Sequence, residues 1–340
     1  MDHTHNTSLL PYNTFHLDCI AEQLVRIQDI ADLEELVTSK LLVDHSFLIL
    51  GGGSNLLLAH ATYAGVVIKN EIMGMVVDEI TDTHCLVTVG AGEERDTFVQ
   101  WTLLNGMCGL ENLSGIPWCV WAAPVQNIGA YGEEVKTYIT QVHTFDLSTG
   151  QQNILSNESC DFGYRWSCFK EPANKQLCIM HVQFSLPKYN ASTYTPNLSY
   201  ASLDVPTQET LTPQLVATAI KATRATKLPD WHSIGTAWSF FKNPNITTSA
   251  YETIKQVTPD LKGFPQSDGA IKLSAGQLIE LAWFKGYRNG AVGTYDKHAL
   301  ILVHHGGGTG QELLALVKQI QDAVQKQFGV QLMPEVCIIQ

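Results

Sequence analysis

Three consecutive glycines between two short apolar runs place a sharp turn early in the chain. The stretch Leu48 to Leu58 reads LILGGGSNLLL, and the run Phe47 to Leu50 has the length and composition of a buried strand. Before it, the residues from Ile30 to Leu42 carry apolar side chains at helical spacing. This region is therefore predicted to fold in the order helix, strand, glycine turn and second apolar strand.

The glycine turn is a candidate binding site for an anion. Successive glycines adopt positive φ angles without strain, and their backbone N–H groups then converge into a nest that suits a pyrophosphate. The motif does not have the GxGxxG spacing that opens a helix, so a Rossmann-type dinucleotide site is only weakly indicated. A simple hairpin turn is the alternative interpretation.

The remaining pattern predicts a mixed α and β protein. The section from about 65 to 210 is rich in strands, and an α/β region follows from Pro229. The predicted strands are Gly65 to Asn70, Met75 to Ile80, His84 to Val89, Ile139 to Phe145, Gln176 to Leu186, His298 to Val303 and Val330 to Ile339. The predicted helices are Glu94 to Asn105, Pro213 to Thr226, Ser274 to Phe284 and Gln311 to Phe328.

Composition limits the classes of function. A chain of 340 residues with 45% hydrophobic and 16% charged residues is long enough for two or three domains with buried cores. Its net charge of −12 opposes binding to a phosphate backbone, so no nucleic-acid partner is expected. The N-terminus has no signal-peptide pattern and no segment is apolar enough to span a membrane, which predicts a cytoplasmic protein without a membrane partner.

The cysteines and histidines do not follow metal-site spacing. The eight cysteines show no CxxC pair and the twelve histidines show no HExxH pattern. We therefore expect most cysteines to be buried apolar residues, and we expect no metal site.

Seven motifs occur in one order along nearly the whole chain, and two of them are highly specific. They are LGGGSN at 50–55, GLENLSGIP at 109–117, PVQNIGAYG at 124–132, FGYR at 162–165, TKLPD at 226–230, SFFKNP at 239–244 and PEV at 334–336. In this set the chain resembles the UDP-N-acetylenolpyruvoylglucosamine reductase family, which contributes to the synthesis of the muramic acid of bacterial peptidoglycan. The resemblance is to the longer type, in which a tyrosine-bearing loop folds over the substrate.

The resemblance implies a fold class and a division into domains. The expected fold is α+β, the FAD-binding fold of the vanillyl-alcohol oxidase group in two subdomains, with a third α/β domain that binds the substrate. FAD-binding subdomain 1 is expected at 1–64, joined by the C-terminal strand 330–340. FAD-binding subdomain 2 is expected at 65–228 and the substrate-binding domain at 229–329. A monomer is expected.

The resemblance also implies two cofactors and a substrate. In the family, NADPH reduces FAD, and the flavin reduces the enolpyruvyl double bond of a UDP-sugar. The positions of this chain that match the family's FAD-binding loops are Gly51, Gly52, Gly53, Ser54, Asn55, Gln126, Asn127, Gly129 and Ala130.

Catalytic roles come from the same resemblance. Ser239 is implied as the proton donor, while Arg165 and Glu335 are implied beside the substrate carboxylate and the developing enol, where a cation stabilises growing negative charge. The implied substrate contacts are Tyr200, Lys227 and Asn243. Without the resemblance, these positions would fit ordinary roles such as a surface ion pair, a turn cap or a solvated charge at the end of a strand.

Tryptophans stand where the family pattern has small residues. The second loop reads IPWCVW where the family has IPGxVG, so Trp118 and Trp121 occupy glycine positions, and Trp238 replaces the glycine before Ser239. The tryptophans expected to crowd the two pockets are Trp118, Trp121, Trp166, Trp231, Trp238 and Trp283. Trp101, on a helical face, is expected to be ordinary core.

The indoles lead to a prediction about activity. An apo protein can fill a ligand cavity with side chains at little cost, so ligand and indole compete for one volume. We expect FAD and substrate binding, and hence reduction, to be impaired or lost. The alternatives are an active reductase that accommodates the indoles, for instance by stacking them on the flavin, and a sugar-acid oxidase with covalent flavin. For the oxidase, no suitably placed His or Cys is evident.

Overall fold

The computed structural model describes residues 1–198 and 211–340. Its α-helices are α1 Ile30–Thr38, α2 Arg95–Leu104, α3 Ala122–Gln126, α4 Pro213–Lys227, α5 Thr248–Val257, α6 Ala275–Leu281 and α7 Gly310–Phe328. Its strands in the first half are β1 Asp2–Ser8, β2 Ile20–Ile27, β3 Phe47–Leu50, β4 Leu56–Leu58, β5 Thr62–Asn70, β6 Met75–Ile80, β7 His84–Gly90, β8 Gly129–Ala130, β9 Glu133–Glu134, β10 Ile139–Asp146 and β11 Gln151–Ser156. The later strands are β12 Leu177–Pro187, β13 Gly235–Ser239, β14 Asn245–Ile246, β15 Gly263–Pro265, β16 Ile271–Leu273, β17 Arg288–Asn289, β18 Val292–Thr294, β19 Ile301–His304 and β20 Cys337–Ile339.

The contacts group the chain into two compact units. Unit 1 comprises 1–7, 21–52 and 64–226, and unit 2 comprises 8–20, 53–63 and 227–340. These bounds differ from the expected division into two FAD-binding subdomains and a substrate-binding domain. That division stays a prediction.

A five-stranded antiparallel sheet forms the centre of unit 1. Its strand order is β11-β10-β12-β7-β6, and Phe184 of β12 faces Val87 of β7 in register. Phe184 and Val87 belong to one buried cluster that also contains Phe98 and Leu103 of α2. Apolar side chains on one face of each element thus bury one continuous core.

A second sheet in unit 1 carries the strand that enters the glycine turn. Its order is β1-β2-β5-β3, and β3 pairs with β5 in parallel, with Phe47 opposite Val66. Helix α1 begins at the N-cap Asp29, whose side chain accepts from the N–H of Asp32, and it buries Leu33 and Leu36 beneath this sheet.

The glycine turn does not close a hairpin. Whereas β3 pairs with β5, β4 pairs in parallel with β20, with Leu57 opposite Ile338. The hairpin interpretation is therefore wrong. The expected last strand, Val330 to Ile339, is also too long, since only Cys337–Ile339 is a strand.

Unit 2 is built around a sheet of order β13-β19-β18-β17 and the long helix α7. Helix α7 begins with a capping box between Thr309 and Glu312 and ends at Gly329, which has a φ of 70°. Its buried face includes Leu313, Leu316, Val317, Ile320, Val324 and Phe328, while Leu314 is only half-buried. Within the described residues, no helix is both long enough and apolar enough to cross a membrane.

Candidate functional site

The glycine turn has one position that only glycine can occupy. Gly53 has a φ of 62°, and a Cβ atom there would overlap the carbonyl oxygen of Tyr12. Gly51 and Gly52 do not have positive φ, so the expectation of successive left-handed glycines is wrong for two of the three. Gly51 instead accepts a 3.0 Å hydrogen bond at its carbonyl oxygen from Nζ of Lys69.

The polar end of this turn is held by the C-terminal segment. Ser54 is 5% exposed, and Nδ2 of Asn55 lies 3.4 Å from the carbonyl oxygen of Glu335. Oδ1 of Asn55 is buried and has no hydrogen-bond partner among the described residues. The turn thus presents a buried acceptor beside a backbone that is fixed by close contacts.

The second loop is buried and rigidly bonded. Asn127 ends α3 with a φ of 41°, and its Nδ2 donates to Oε2 of Glu134 at 3.0 Å and to the carbonyl oxygen of Gly163 at 2.9 Å. Gln126 is 5% exposed. Gly129 and Ala130 follow in β8, which pairs with β9.

A tight turn carries Arg165 to this loop. Gly163 and Trp166 exchange backbone hydrogen bonds of 3.1 and 3.2 Å, and Arg165 lies between them with a φ of 53°. Nη2 of Arg165 donates to the carbonyl oxygen of Gly129 at 2.9 Å. The structure therefore brings the predicted Arg165 and the predicted loop 126–130 together.

Lys170 is a member of this cluster that the sequence did not reveal. Its Nζ donates to Oε1 of Gln126 at 2.7 Å and to the carbonyl oxygen of Arg165 at 2.8 Å. Only its position five residues after Arg165 in YRWSCFK could have suggested it. Lys170 ties the arginine turn to the second loop.

Ser239 and Glu335 lie on bonded segments of unit 2. Ser239 ends β13, which pairs with β19, and the next residue, Phe240, accepts a 2.8 Å hydrogen bond from the N–H of Glu335. Asn243 accepts at Oδ1 from the N–H of Ala275, the first residue of α6. This hydrogen bond gives Asn243 a structural role in addition to the substrate contact that the resemblance implies.

Lys227 and Tyr200 are the other residues implied as substrate contacts. Lys227 is the last residue of α4 and is exposed. Burial lowers the pKa of His298, and the charges of Lys285 and Lys227 add to this effect. Tyr200 lies outside the described residues.

Trp118 and Trp121 lie inside unit 1. Trp118 is 9% exposed and belongs to the buried cluster around Phe98, and Trp121 packs against the same cluster. A Cβ atom on Gly51 would lie 3.4 Å from Cε3 of Trp121. Burial also raises the pKa of the Cys119 thiol, which lies between the two indoles in sequence.

The indole nitrogens of these two residues are hydrogen-bond donors without an acceptor among the described residues. Nε1 of Trp118 and Nε1 of Trp121 are buried, and neither finds an acceptor among the described residues. A buried donor without a partner costs about 1 to 3 kcal/mol. Both side chains therefore fill volume in a place whose polar groups are not arranged to receive them.

Two tryptophans of unit 2 stand at positions with glycine geometry. Trp238 has a φ of 65° and Trp283 a φ of 67°, where a bulky residue is an outlier. Trp238 is half-buried in the bulge of β13. Trp283 is 88% exposed, so its ring fills no packed volume within unit 2, and the expectation that it crowds the substrate side stays a prediction.

The remaining tryptophans have local partners. The ring of Trp231 contacts that of His232, with centroids 3.8 Å apart and planes tilted by 32°, and Trp166 packs beside Gly163. Trp101 lies against the buried cluster of unit 1, with its ring 6.4 Å from that of Phe98, as expected of a core residue. Trp118 is a core residue in the same sense, which the sequence did not predict.

Cysteine and metal-ligand placement can be stated for the described residues. All eight cysteines are free, and five of them are buried, as expected. Within ranges 1–198 and 211–340, no group of three or more His, Cys, Asp or Glu side chains could hold a metal ion.

The comparisons with known proteins agree with the fold. Residues 21–155 match the FAD binding domain model, and residues 230–339 match the model of the UDP-N-acetylenolpyruvoylglucosamine reductase C-terminal domain. The crystal structure of UDP-N-acetylenolpyruvylglucosamine reductase from Thermus caldophilus superposes with a TM-score of 0.68 at 22% identity, covering 100% of this chain and 98% of that one. Fold and site thus define an α+β protein of the FAD-binding class, which confirms the predicted fold class.

Sequence similarity narrows the class to a family. The chain is 42% identical to UDP-N-acetylenolpyruvoylglucosamine reductase of Burkholderia ambifaria over 344 residues, with 97% of each chain covered. It is 41% identical to the reductase of Pseudomonas aeruginosa, with 96% of each covered. The chain belongs to the UDP-N-acetylenolpyruvoylglucosamine reductase family.

Proposed function

We propose that this chain keeps the framework of an FAD- and NADPH-dependent reductase of a UDP-sugar enolpyruvate, but that its FAD binding, and with it its activity, is impaired or lost. The framework rests on family membership and on the FAD binding domain match over residues 21–155. The loss rests on the side chains that occupy the cofactor loops. A cytoplasmic monomer remains our expectation for its state.

One observation carries the proposed loss. The ring of Trp121 lies against Gly51, a glycine of the loop that the resemblance assigns to FAD. Glycine serves such a loop because its missing side chain lets a ligand approach the backbone closely. Here the space beside Gly51 is already filled by an indole, so these residues do not fit a bound dinucleotide.

Filling the site with an indole is favourable in the apo protein, and it opposes the binding of FAD in the same volume. Burying the apolar surface of one indole contributes about 1.5 to 3 kcal/mol, which the unpaired Nε1 donor of Trp121 offsets in part. Adding the cofactor to the same volume would overpack the site at a cost of about 1 to 3 kcal/mol or more. FAD must therefore displace Trp121 before it can bind.

The polar residues of the proposed reaction are retained. In a competent site, Ser239 would supply a proton, and Arg165 and Glu335 would face the carboxylate and the developing enol. These roles stay predictions. Their support is that Arg165 reaches loop 126–130 and that Glu335 is bonded to the residue after Ser239.

A working reductase is the second candidate. It is favoured by 42% identity over 97% of the chain and by the exposure of Trp283, which leaves one fewer indole to accommodate. In that case Trp118 and Trp121 would have to turn aside or stack on the flavin.

Incubation with excess FAD followed by gel filtration separates the two candidates. We expect the protein peak to lack the visible absorbance of flavin and the protein to leave NADPH unoxidised when the enolpyruvyl UDP-sugar is added. A 1:1 yellow complex that oxidises NADPH only with this substrate would establish the working reductase instead.

A further inference from the structure

Unit 1 contains a polar cavity of about 230 Å³. It lies where the segment 108–112, the start of β9 and the segment after β12 meet, and Glu111, Glu133, Tyr138 and Tyr194 line it. None of its lining residues is among those assigned above to FAD or to the UDP-sugar.

Two carboxylates in this cavity have only neutral donors. Glu111, 5% exposed, accepts from the N–H of Gly109 and from the Tyr194 hydroxyl at 2.8 Å. Glu133 accepts from the Tyr138 hydroxyl at 3.2 Å and from Nδ2 of Asn197 at 2.9 Å.

The one lysine in the lining does not neutralise these carboxylates. Lys188 lines the cavity, but its Nζ donates to the carbonyl oxygen of Thr81 at 3.4 Å. Within the described residues, neither carboxylate has a cationic partner.

The pKa values of two neighbouring groups are raised by burial and by these carboxylates. Burial raises the pKa of the Tyr138 phenol, and Glu133 and Glu111 raise it further. Burial raises the pKa of the Cys108 thiol to about 11, with Glu111 contributing. These side chains therefore stay protonated, and the cavity favours a cation.

Asn112 supplies an independent sign of a missing partner. It lines the cavity and is 1% exposed, and its Nδ2 donates to the carbonyl oxygens of Tyr131 at 3.0 Å and Asn197 at 2.8 Å. These two bonds fix which end of the amide is oxygen. Its Oδ1 is buried and has no donor among the described residues, an arrangement that is unfavourable if nothing binds there.

We propose that this cavity binds a small primary ammonium compound. A primary ammonium carries three N–H donors, which match in number the carboxylates of Glu111 and Glu133 and the amide oxygen of Asn112. The rings of Tyr138 and Tyr194 give a short hydrocarbon chain an apolar and cation-attracting wall. A cavity of about 230 Å³ is larger than a bare metal ion needs.

Calorimetric titration of the full chain tests the proposal directly. Ethanolammonium chloride is the probe, with tetramethylammonium chloride and potassium chloride at the same ionic strength as comparisons. We expect a saturable 1:1 heat for ethanolammonium alone, since tetramethylammonium has no N–H group and potassium has no donor. No saturable heat, or equal affinity for either comparison salt, overturns the proposal.

A variant pair ties binding to the cavity. Glu133→Gln keeps an acceptor for Tyr138 but removes the charge, and it should weaken ethanolammonium binding by about tenfold or more. Glu158→Gln, an exposed carboxylate elsewhere in unit 1, should leave the affinity unchanged. A folded Glu133→Gln protein with unaltered affinity would also overturn the proposal. If this variant does not fold, the comparison of salts on the unaltered chain decides.

Discussion

The ring of Trp121 lies against Gly51, with Cε3 at 3.4 Å from the point that a Cβ atom on this glycine would occupy. The contact joins the second loop to the glycine turn within unit 1, and it uses the space that a glycine leaves open. The overall fold is that of the family. That this contact takes volume needed by the cofactor stays our proposal.

Trp283 should be replaceable by glycine with a gain in stability. Its φ of 67° disfavours any residue with a Cβ by about 1 to 2 kcal/mol, and its 88% exposure means that little packing is lost. We expect Trp283→Gly to raise the free energy of unfolding by about 0.5 to 1 kcal/mol, after the entropy of glycine in the unfolded chain is subtracted. Trp283→Ala keeps the Cβ and should give no gain in urea unfolding; an equal gain in both would contradict this account.

Gly53 should not tolerate even alanine. Its φ of 62° and the overlap of a Cβ with the Tyr12 carbonyl predict a loss of about 2 to 5 kcal/mol in Gly53→Ala. Gly307 has a φ of 74° but open space around its Cβ position. Gly307→Ala should therefore lose only about 1 to 2 kcal/mol, and equal losses in the two variants would show that the close approach at Gly53 is unimportant.

The buried guanidinium of Arg95 should lower the free energy of unfolding. Its side chain is 2% exposed, Nη2 donates to the carbonyl oxygen of Ile116, and Nε and Nη1 have no partners among the described residues. Burial lowers its pKa to about 9, and the charge of Arg224 adds to the effect. We expect Arg95→Met to raise the unfolding free energy by about 1 to 3 kcal/mol. Arg26→Met, at a more exposed site, should change it by less than about 0.5 kcal/mol, and a clear loss in Arg95→Met would contradict the argument.

Acidification should destabilise the protein through its histidines. Burial lowers the pKa values of His143 and His181, and those of His16, His298 and His305 are lowered by burial as well. Below the unfolded value of about 6.5, the unfolded chain binds more protons than the folded one, so stability falls as pH falls. Urea midpoints should decrease between pH 7 and pH 5.

A double variant isolates the contribution of one histidine pair. The rings of His143 and His181 lie 6.3 Å apart on neighbouring strands, so protonating one opposes protonating the other. The change His143→Gln with His181→Gln should reduce the slope of stability against pH. A slope identical to that of the unaltered protein would mean that this pair does not titrate as argued.

Periodicity predicted most elements that bury an apolar face. Helix α7 and strand β7 occur within one residue of where the sequence placed them, because each buries a regular pattern of apolar side chains in a core. Strand β1, with the sequence DHTHNTS, contains no apolar residue and is held only by its place at the edge of a sheet, so no pattern could indicate it. Helix α5 was missed for a similar reason, since Ile254 is its one buried residue.

The sequence indicated which residues belong to the candidate site, but not how their side chains pack. Motif order indicated Arg165 and loop 126–130, and the structure brings them together through the hydrogen bond from Arg165 to Gly129. Sequence alone could not separate Trp121 from Trp283, since both stand where small residues are expected. One ring turns inward onto Gly51 and the other lies in solvent, a difference that depends on which cavities the folded chain leaves beside each backbone position.

FAD affinity, measured by equilibrium titration, tests the central claim most directly. The pair Trp118→Gly with Trp121→Gly reopens the loop, and Trp283→Gly serves as the matched control because its ring already lies in solvent. We predict no saturable FAD binding by the unaltered chain or by the control, and a 1:1 flavin complex in the double variant. Equal, tight FAD binding by all three proteins would contradict the account.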